Sequence, residues 1–276
     1  MQSDEFYVRF WGVRGSLPCP GEGYTQVGGN TPCLEIRCGS HVMVFDAGSG
    51  IRPLGCSLHQ IDCAQIDLFF THCHYDHICG LPFFSPLYCS NTDVRMWSGH
   101  HLDGMTTEHM VSRFMSAPFF PVGPEVFSAS VDYKDFEPGE ELRPNGAISI
   151  QTTALNHPNG CIGYRIEFAG KTICYISDTE HEVGKTDYRI CELIKDAEIV
   201  IYDAAYTNDE YDKHRGFGHS TWQEGARLCD IANAGQYVTF HHCPSHEDAF
   251  MAELERQVAE VRPGSLIARE GLTLYA

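Results

Sequence analysis

The sequence predicts an α/β protein whose two β-rich halves pack into one domain, and three observations lead there. Apolar runs of strand length recur along the 276 residues, joined by turn-rich or helical connections. Several of these runs stop at or just before a histidine or an aspartate. No low-complexity linker or short-period repeat divides the chain, so the expected unit is a single domain over residues 1–276.

Phe6–Trp11 reads as the first strand, broken by Gly12 and followed by a Gly/Pro-rich loop to Asn30. Leu34–Cys38 alternates as a half-buried strand does, and Gly39-Ser40 turns it into His41–Asp46. A helical crossover near 51–60 precedes the strand Ile66–Thr71; Val94–Trp97 is another strand, with a helix expected over 103–115. Residues 116–146 are rich in Pro, Phe and Gly without a clean period, and Ala117–Pro121 could wall a pocket. A second β-rich block follows: Ala147–Gln151, Ile162–Phe168, Thr172–Ile176, a helix near 186–196, and Ile199–Tyr202. Ser220-Thr221-Trp222-Gln223 has capping-box spacing for a helix to about Ala234, and Ser245–Asp248 opens the last helix in the same way. Between these helices Tyr237–Phe240 is a strand, and Leu266–Ala268 closes the chain as another.

The densest chemistry lies at residues 66–77. An apolar strand runs into His72-Cys73-His74-Tyr75-Asp76-His77, which puts four potential metal ligands within six residues. Neutral imidazoles with a carboxylate suit zinc, manganese or iron. Other strand ends carry similar groups: Asp46, Asp178, Asp203 and His241, with His157 a few residues beyond Gln151. A sandwich of two sheets brings such ends together along one edge. Two metals then need about three or four protein ligands each, and a shared carboxylate is economical, with Asp178 the candidate.

Charge restricts the partners. The 37 acidic residues against 19 basic ones give a formal net charge of −18, and the Lys and Arg are scattered singly. That surface disfavours extended contact with nucleic acid or an anionic membrane, whereas a small anion can still be drawn in by local metal charge. At 43% hydrophobic the chain can bury a sizeable core. The thirteen cysteines show no C-x-x-C pair or regular framework, and the acidic start of the chain does not read as a signal peptide. A cytoplasmic protein with free thiols is expected, with Cys73, Cys79 and Cys243 packing near the histidines.

In order, His72, His74, Asp76, His77, His157, Asp178 and His241 resemble the ligand series of the metallo-β-lactamase superfamily. Gly218-His219-Ser220-Thr221 resembles an element of its phosphodiesterase branch, which includes RNase Z and the phosphoribosyl cyclic-phosphate and cyclic-nucleotide phosphodiesterases. Phe10–Ser16, Gly28–Cys33 and Asp46–Gly50 are also similar to bacterial members of that group. The resemblance implies an αββα sandwich with two mixed sheets and a site for two divalent metals, zinc above all, with manganese or iron as alternatives. His72, His74 and His157 would hold one metal, Asp76, His77 and His241 the other, and Asp178 would bridge them. Asp46 and Asp203 would orient ligand imidazoles. A homodimer is expected from the same resemblance.

Paired metals can lower the pKa of a bound water to near 7. Asp76 would align that water for in-line attack on phosphorus, and His219, just before a helix N-terminus, would protonate the leaving oxygen. His214, between Lys213 and Arg215, is a further candidate for phosphate binding. The expected activity is hydrolysis of a small phosphodiester, a cyclic nucleotide or sugar cyclic phosphate. RNase Z-like tRNA 3′-processing is the alternative, and a metal-dependent lactone or ester hydrolase is the next. An RNA endonuclease needs several phosphate contacts and usually a basic arm, and none is visible here.

Overall fold

The computed structural model describes residues 5–60, 63–101 and 104–276. The first sheet contains β1 (Phe6–Gly12), β2 (Cys33–Cys38), β3 (His41–Phe45), β4 (Gln65–Phe69), β5 (Asp93–Ser98) and β6 (Ser130–Asp135). The second contains β7 (Glu141–Leu142), β8 (Ser149–Leu155), β9 (Cys161–Phe168), β10 (Lys171–Ile176), β11 (Ile199–Asp203), β12 (Gln236–Phe240) and β13 (Leu266–Ile267). The final strand, β14 (Thr273–Tyr275), returns to pair antiparallel with β1. The sheet orders are β14-β1-β2-β3-β4-β5-β6 and β13-β12-β11-β10-β9-β8-β7. Helices α1 (Ile51–Gln60), α2 (Tyr75–Ile78), α3 (Thr107–Phe114), α4 (Tyr188–Leu193), α5 (Asn208–Tyr211), α6 (Trp222–Ile231) and α7 (Asp248–Val261) complete the chain. Of these, α1 and α3 lie with the first sheet and α4, α6 and α7 with the second. This is the expected αββα sandwich.

Alternation along each strand builds the layers. Val42, Val44, Ile66, Leu68, Val94 and Met96 pack outward with Leu54, Leu58 and Met110 of the helices. Met43, Phe45 and Phe69 point inward, where Phe6, Phe10, Ile150, Ile162, Tyr164 and Phe240 meet them from both sheets. Phe45 stacks on Phe69 at 5.0 Å between ring centroids and takes the edge of Tyr164 at 5.1 Å. Each such side chain, removed from water, contributes about 1.5–3 kcal/mol. The strands from β3 to β6 run parallel, as do those from β10 to β13, so each sheet gathers a set of C-terminal strand ends.

Several boundaries differ from the expectation. The strand read as Ile66–Thr71 ends at Phe69, since Thr71 turns its backbone N–H and hydroxyl to Asp46. The helix expected over 103–115 covers Thr107–Phe114, and Asp103 lies outside the described residues. The expectation for the start of the chain likewise falls on residues 1–4, outside the description. Helix α6 is capped by Thr221, which accepts from Glu224 N, so the cap sits one residue later than expected. Ser245 does not cap α7; Glu247 occupies that position without a side-chain bond. Strands β6, β7 and β14 were not foreseen. In β6 (Ser-Val-Asp-Tyr-Lys-Asp) no residue is fully buried, so the apolar signal of an interior strand is missing.

The loop after β1 must approach its neighbours closely. A Cβ on Gly12 would stand 1.8 Å from the carbonyl oxygen of Thr31, whereas one on Gly146 would meet nothing within 4 Å. Gly12→Ala is expected to destabilise the protein by about 1–3 kcal/mol or more, as overpacking against backbone does. Gly146→Ala should be neutral or stabilising by at most about 1 kcal/mol. Urea unfolding of the two variants beside the parent checks this; equal midpoints would refute the close approach at Gly12.

Candidate metal centre

Along one edge of the sandwich, the strand ends of both sheets meet. Asp46 follows β3 directly, Thr71 and His72 follow β4, and His157 lies two residues past β8. Asp178 lies two residues past β10, Asp203 ends β11, and His241 follows β12. Asp46, Asp178 and His241 have positive φ, at 63°, 52° and 59°. A left-handed residue is costly for anything but glycine, and here it turns each chain sharply at the strand end. His74 precedes the one-turn helix α2, which carries Asp76 and His77.

Two trios result. His72, His74 and His157 form one, Asp76, His77 and His241 the other, with the donor atoms of each trio within 4.8 Å of one another; Asp178, Asp203, His219 and His241 gather within the same spread, as do His72, His77 and Asp178. Asp178 stands between the two trios. Its Oδ2 lies 3.6 Å from His72 Nε2 and 3.7 Å from His157 Nε2, and its Oδ1 lies 3.3 Å from the Nε2 atoms of both His77 and His241. In the second trio His241 Nε2 is 3.1 Å from Asp76 Oδ2 and 3.3 Å from His77 Nε2. His242, the next residue along the chain, is turned away and pairs with the carbonyl of Ala268 at 2.9 Å.

The surroundings orient these donors. Asp46 Oδ2 receives His77 Nδ1 at 2.9 Å and the Tyr175 hydroxyl at 2.8 Å, so Asp46 orients an imidazole of the second trio. Asp203 departs from expectation. Its Oδ2 faces His219 Nδ1 at 3.0 Å, so it orients His219 rather than a member of either trio. The His219 ring stacks on His241 with centroids 4.7 Å apart. Gly218 O receives His157 Nδ1 at 2.7 Å, and Ser16 N donates to Asp76 Oδ2 at 2.7 Å. Sequence reasoning named Ser16 and Gly218 only within motifs and missed the orienting roles of these two and of Thr71 and Tyr175, because each acts through a backbone group or a hydroxyl. His214 is not brought into the cluster. It stacks on Tyr206 at 4.1 Å and bonds the carbonyl of Glu210, while the neighbouring Arg215 pairs with Asp212.

Asp46, Asp76, Asp178 and Asp203 are all buried. Burial disfavours their charge, but the imidazoles facing Asp76 and Asp178 hold those two carboxyls well below the usual carboxylate range. His72, buried among other imidazoles, is pushed well below the ordinary histidine value. Burial works against a charged His219, yet Asp203 outweighs it and raises the imidazole to about 9. A crowd of buried carboxylates needs compensating positive charge. The donor set fits a divalent cation: imidazole nitrogens and carboxylate oxygens converge, and the buried His72 Nε2 has no hydrogen-bond partner.

Known proteins share this arrangement of chain. The profile of the β-lactamase superfamily domain matches residues 41–242. Ribonuclease Z of Gemmatimonas aurantiaca is 21% identical over an alignment of 313 positions, covering 96% of this chain and 94% of that protein. Among solved structures, the metallo-β-lactamase fold protein YhfI from Bacillus subtilis superposes with a TM-score of 0.74 at 19% identity, covering 99% of this chain and 100% of that one. A diphosphatase from the PhnP family superposes with a TM-score of 0.72 at 17% identity, covering 98% and 97%.

The carboxylate crowd leads us to expect metal-dependent stability. Adding Zn²⁺ to chelator-treated protein should raise the melting temperature, since one site at 100 times its dissociation constant adds about 2.7 kcal/mol. Asp178→Asn should remove most of that rise. A parent protein whose unfolding ignores divalent cations would contradict the charge argument.

Proposed function

The chain belongs to the β-lactamase superfamily, and from that premise we propose that this metal-dependent hydrolase cleaves a small phosphodiester, a cyclic nucleotide or sugar cyclic phosphate. The observation that carries the reading is the pair of trios astride Asp178, with one carboxylate oxygen toward each. In this reading His72, His74 and His157 hold one divalent cation and Asp76, His77 and His241 the other, with Asp178 between them. Zinc suits the donors, and manganese or iron remain alternatives. When bound, the cations supply Lewis acidity: they lower the pKa of water and neutralise phosphate oxygens.

The chain's own residues do the rest. Asp76, held by Ser16 N, has a carboxylate oxygen with which to align water against phosphorus. His219 has its Nδ1 fixed by Asp203, which leaves Nε2 to give a proton to the departing oxygen. Asp46 and Thr71 fix the ring of His77, so that its Nε2 stays turned toward Asp178.

Substrate size follows from charge and chain length. The net charge of −18 repels a long polyanion. An alignment of 313 positions on a chain of 276 residues means that the ribonuclease Z relative carries segments this chain lacks. The second reading, tRNA 3′-processing, is favoured by the likeness to ribonuclease Z of Gemmatimonas aurantiaca, which matches along nearly its whole length. Ten of the cysteines, the buried Cys33, Cys161 and Cys174 among them, are free thiols, which supports a reducing compartment such as the cytoplasm, and no described helix is long and apolar enough to cross a membrane. A homodimer belongs to the same proposal and is read by light scattering.

With zinc- or manganese-loaded protein, turnover is expected on bis-p-nitrophenyl phosphate and on one member of a 2′,3′- and 3′,5′-cyclic nucleotide panel. A lactone and a β-lactam should remain intact. Cleavage of a precursor tRNA with no cyclic substrate turned over would favour the second reading. His219→Ala should lower kcat by about 10²–10⁴-fold with metal content unchanged; parallel loss of metal would make His219 a ligand instead.

A further inference from the structure

We propose that Glu180 is a positioning residue that sets His157 and His219 together through one peptide. This rests on the reading of those histidines given above. Glu180 lies two residues beyond Asp178, and its carboxylate reaches across to the turn before α6. Gly216 N donates to both oxygens, at 2.9 Å to Oε1 and 2.8 Å to Oε2, and Gly218 N donates to Oε2 at 2.8 Å. The peptide of Gly218 then works in both directions along the chain. Its carbonyl receives His157 Nδ1 at 2.7 Å, and the next residue is His219.

Glu180 is itself anchored beside His157. Its backbone N–H donates to Asn156 O at 2.8 Å, and its carbonyl accepts from Asn156 Nδ2 at 2.7 Å. Three segments therefore close into a ring: Asn156-His157, Asp178–Glu180 and Gly216–His219. Within the turn itself Phe217 N donates to His214 O at 3.2 Å, and the Glu180 carboxylate takes the N–H groups on either side of it. Gly216 and Gly218 both have positive φ, at 87° and 84°, and Phe217 between them is exposed. A Cβ at position 218 would stand 2.3 Å from His157 Nδ1, so the close approach that makes the carbonyl bond possible requires glycine there.

The chemical consequence lies in the tautomer of His157. With Gly218 O accepting from Nδ1, the lone pair of the neutral ring is on Nε2, the atom 2.9 Å from His74 Nδ1 and 3.7 Å from Asp178 Oδ2. Without the Glu180 tie, the Gly-Phe-Gly turn would lose the charged acceptor for two of its N–H groups. Its carbonyl would then no longer hold that ring.

The test uses the full chain with Glu180→Ala and Glu180→Gln beside the parent. Zn²⁺ titration into chelator-treated protein, which needs no substrate, reads the affinity of each site. Glu180→Ala should weaken one of the two sites by about 10–100-fold and leave the other at the parental value. Its kcat on bis-p-nitrophenyl phosphate should fall with it. Glu180→Gln should recover part of both losses, because a carboxamide oxygen in the place of Oε2 can still accept from Gly216 and Gly218, while the bond from Gly216 N to Oε1 is lost. Both sites weakening alike, neither weakening, kcat unchanged, or Gln no better than Ala would each overturn the proposal. A parent that binds two ions yet hydrolyses no phosphodiester would refute the phosphodiesterase reading instead; the proposal would then stand or fall on the titration.

Discussion

One electrostatic constraint governs this edge of the molecule: Asp46, Asp76, Asp178 and Asp203 are buried within one cluster of imidazoles. Removing one charge from water costs several kcal/mol, and gathering four is tolerable only where opposite charge is supplied. Asp178 bears the constraint most directly, since each of its oxygens faces a different trio. Facing imidazoles supply part of that charge, and the donor set fits a divalent cation that would supply more.

The sandwich holds those carboxylates together because the two sheets are tied at the same edge. Tyr175, from the second sheet, donates to Asp46, at the end of a strand of the first. Tyr164 likewise donates its hydroxyl to Phe70 O, just before Thr71 and His72. Below these bonds the interleaved aromatic rings of Phe45, Phe69 and Tyr164 keep the spacing between the layers. The donors thus sit on rigid strand ends, where small displacements are resisted by close packing.

Two kinds of residue meet at the edge. The trios point their donors at one another and at Asp178, while His219 stands beside them, held by Asp203 and stacked on His241. This division suits a hydrolase in which cation chemistry and proton transfer are done by different groups. The net charge of −18 is in keeping with the compact substrate proposed above.

Much of this was legible without coordinates. Strands β3, β4, β10, β11 and β12 read as apolar runs because both their faces are buried, and His72 to His77 were found because four donors share one turn of chain. Strands β6 and β14 were not legible, since they lie at sheet edges and neither has a fully buried side chain. What the sequence by itself determined, then, was the kind of layer and the kind of donor, because both follow from neighbours along the chain. Only the tertiary structure decided that Asp203 serves His219, that His214 packs on Tyr206, and that Glu180 reaches the Gly216–Gly218 turn. Those pairings join residues on different strand ends and loops, and which of them meet depends on how the two sheets stack.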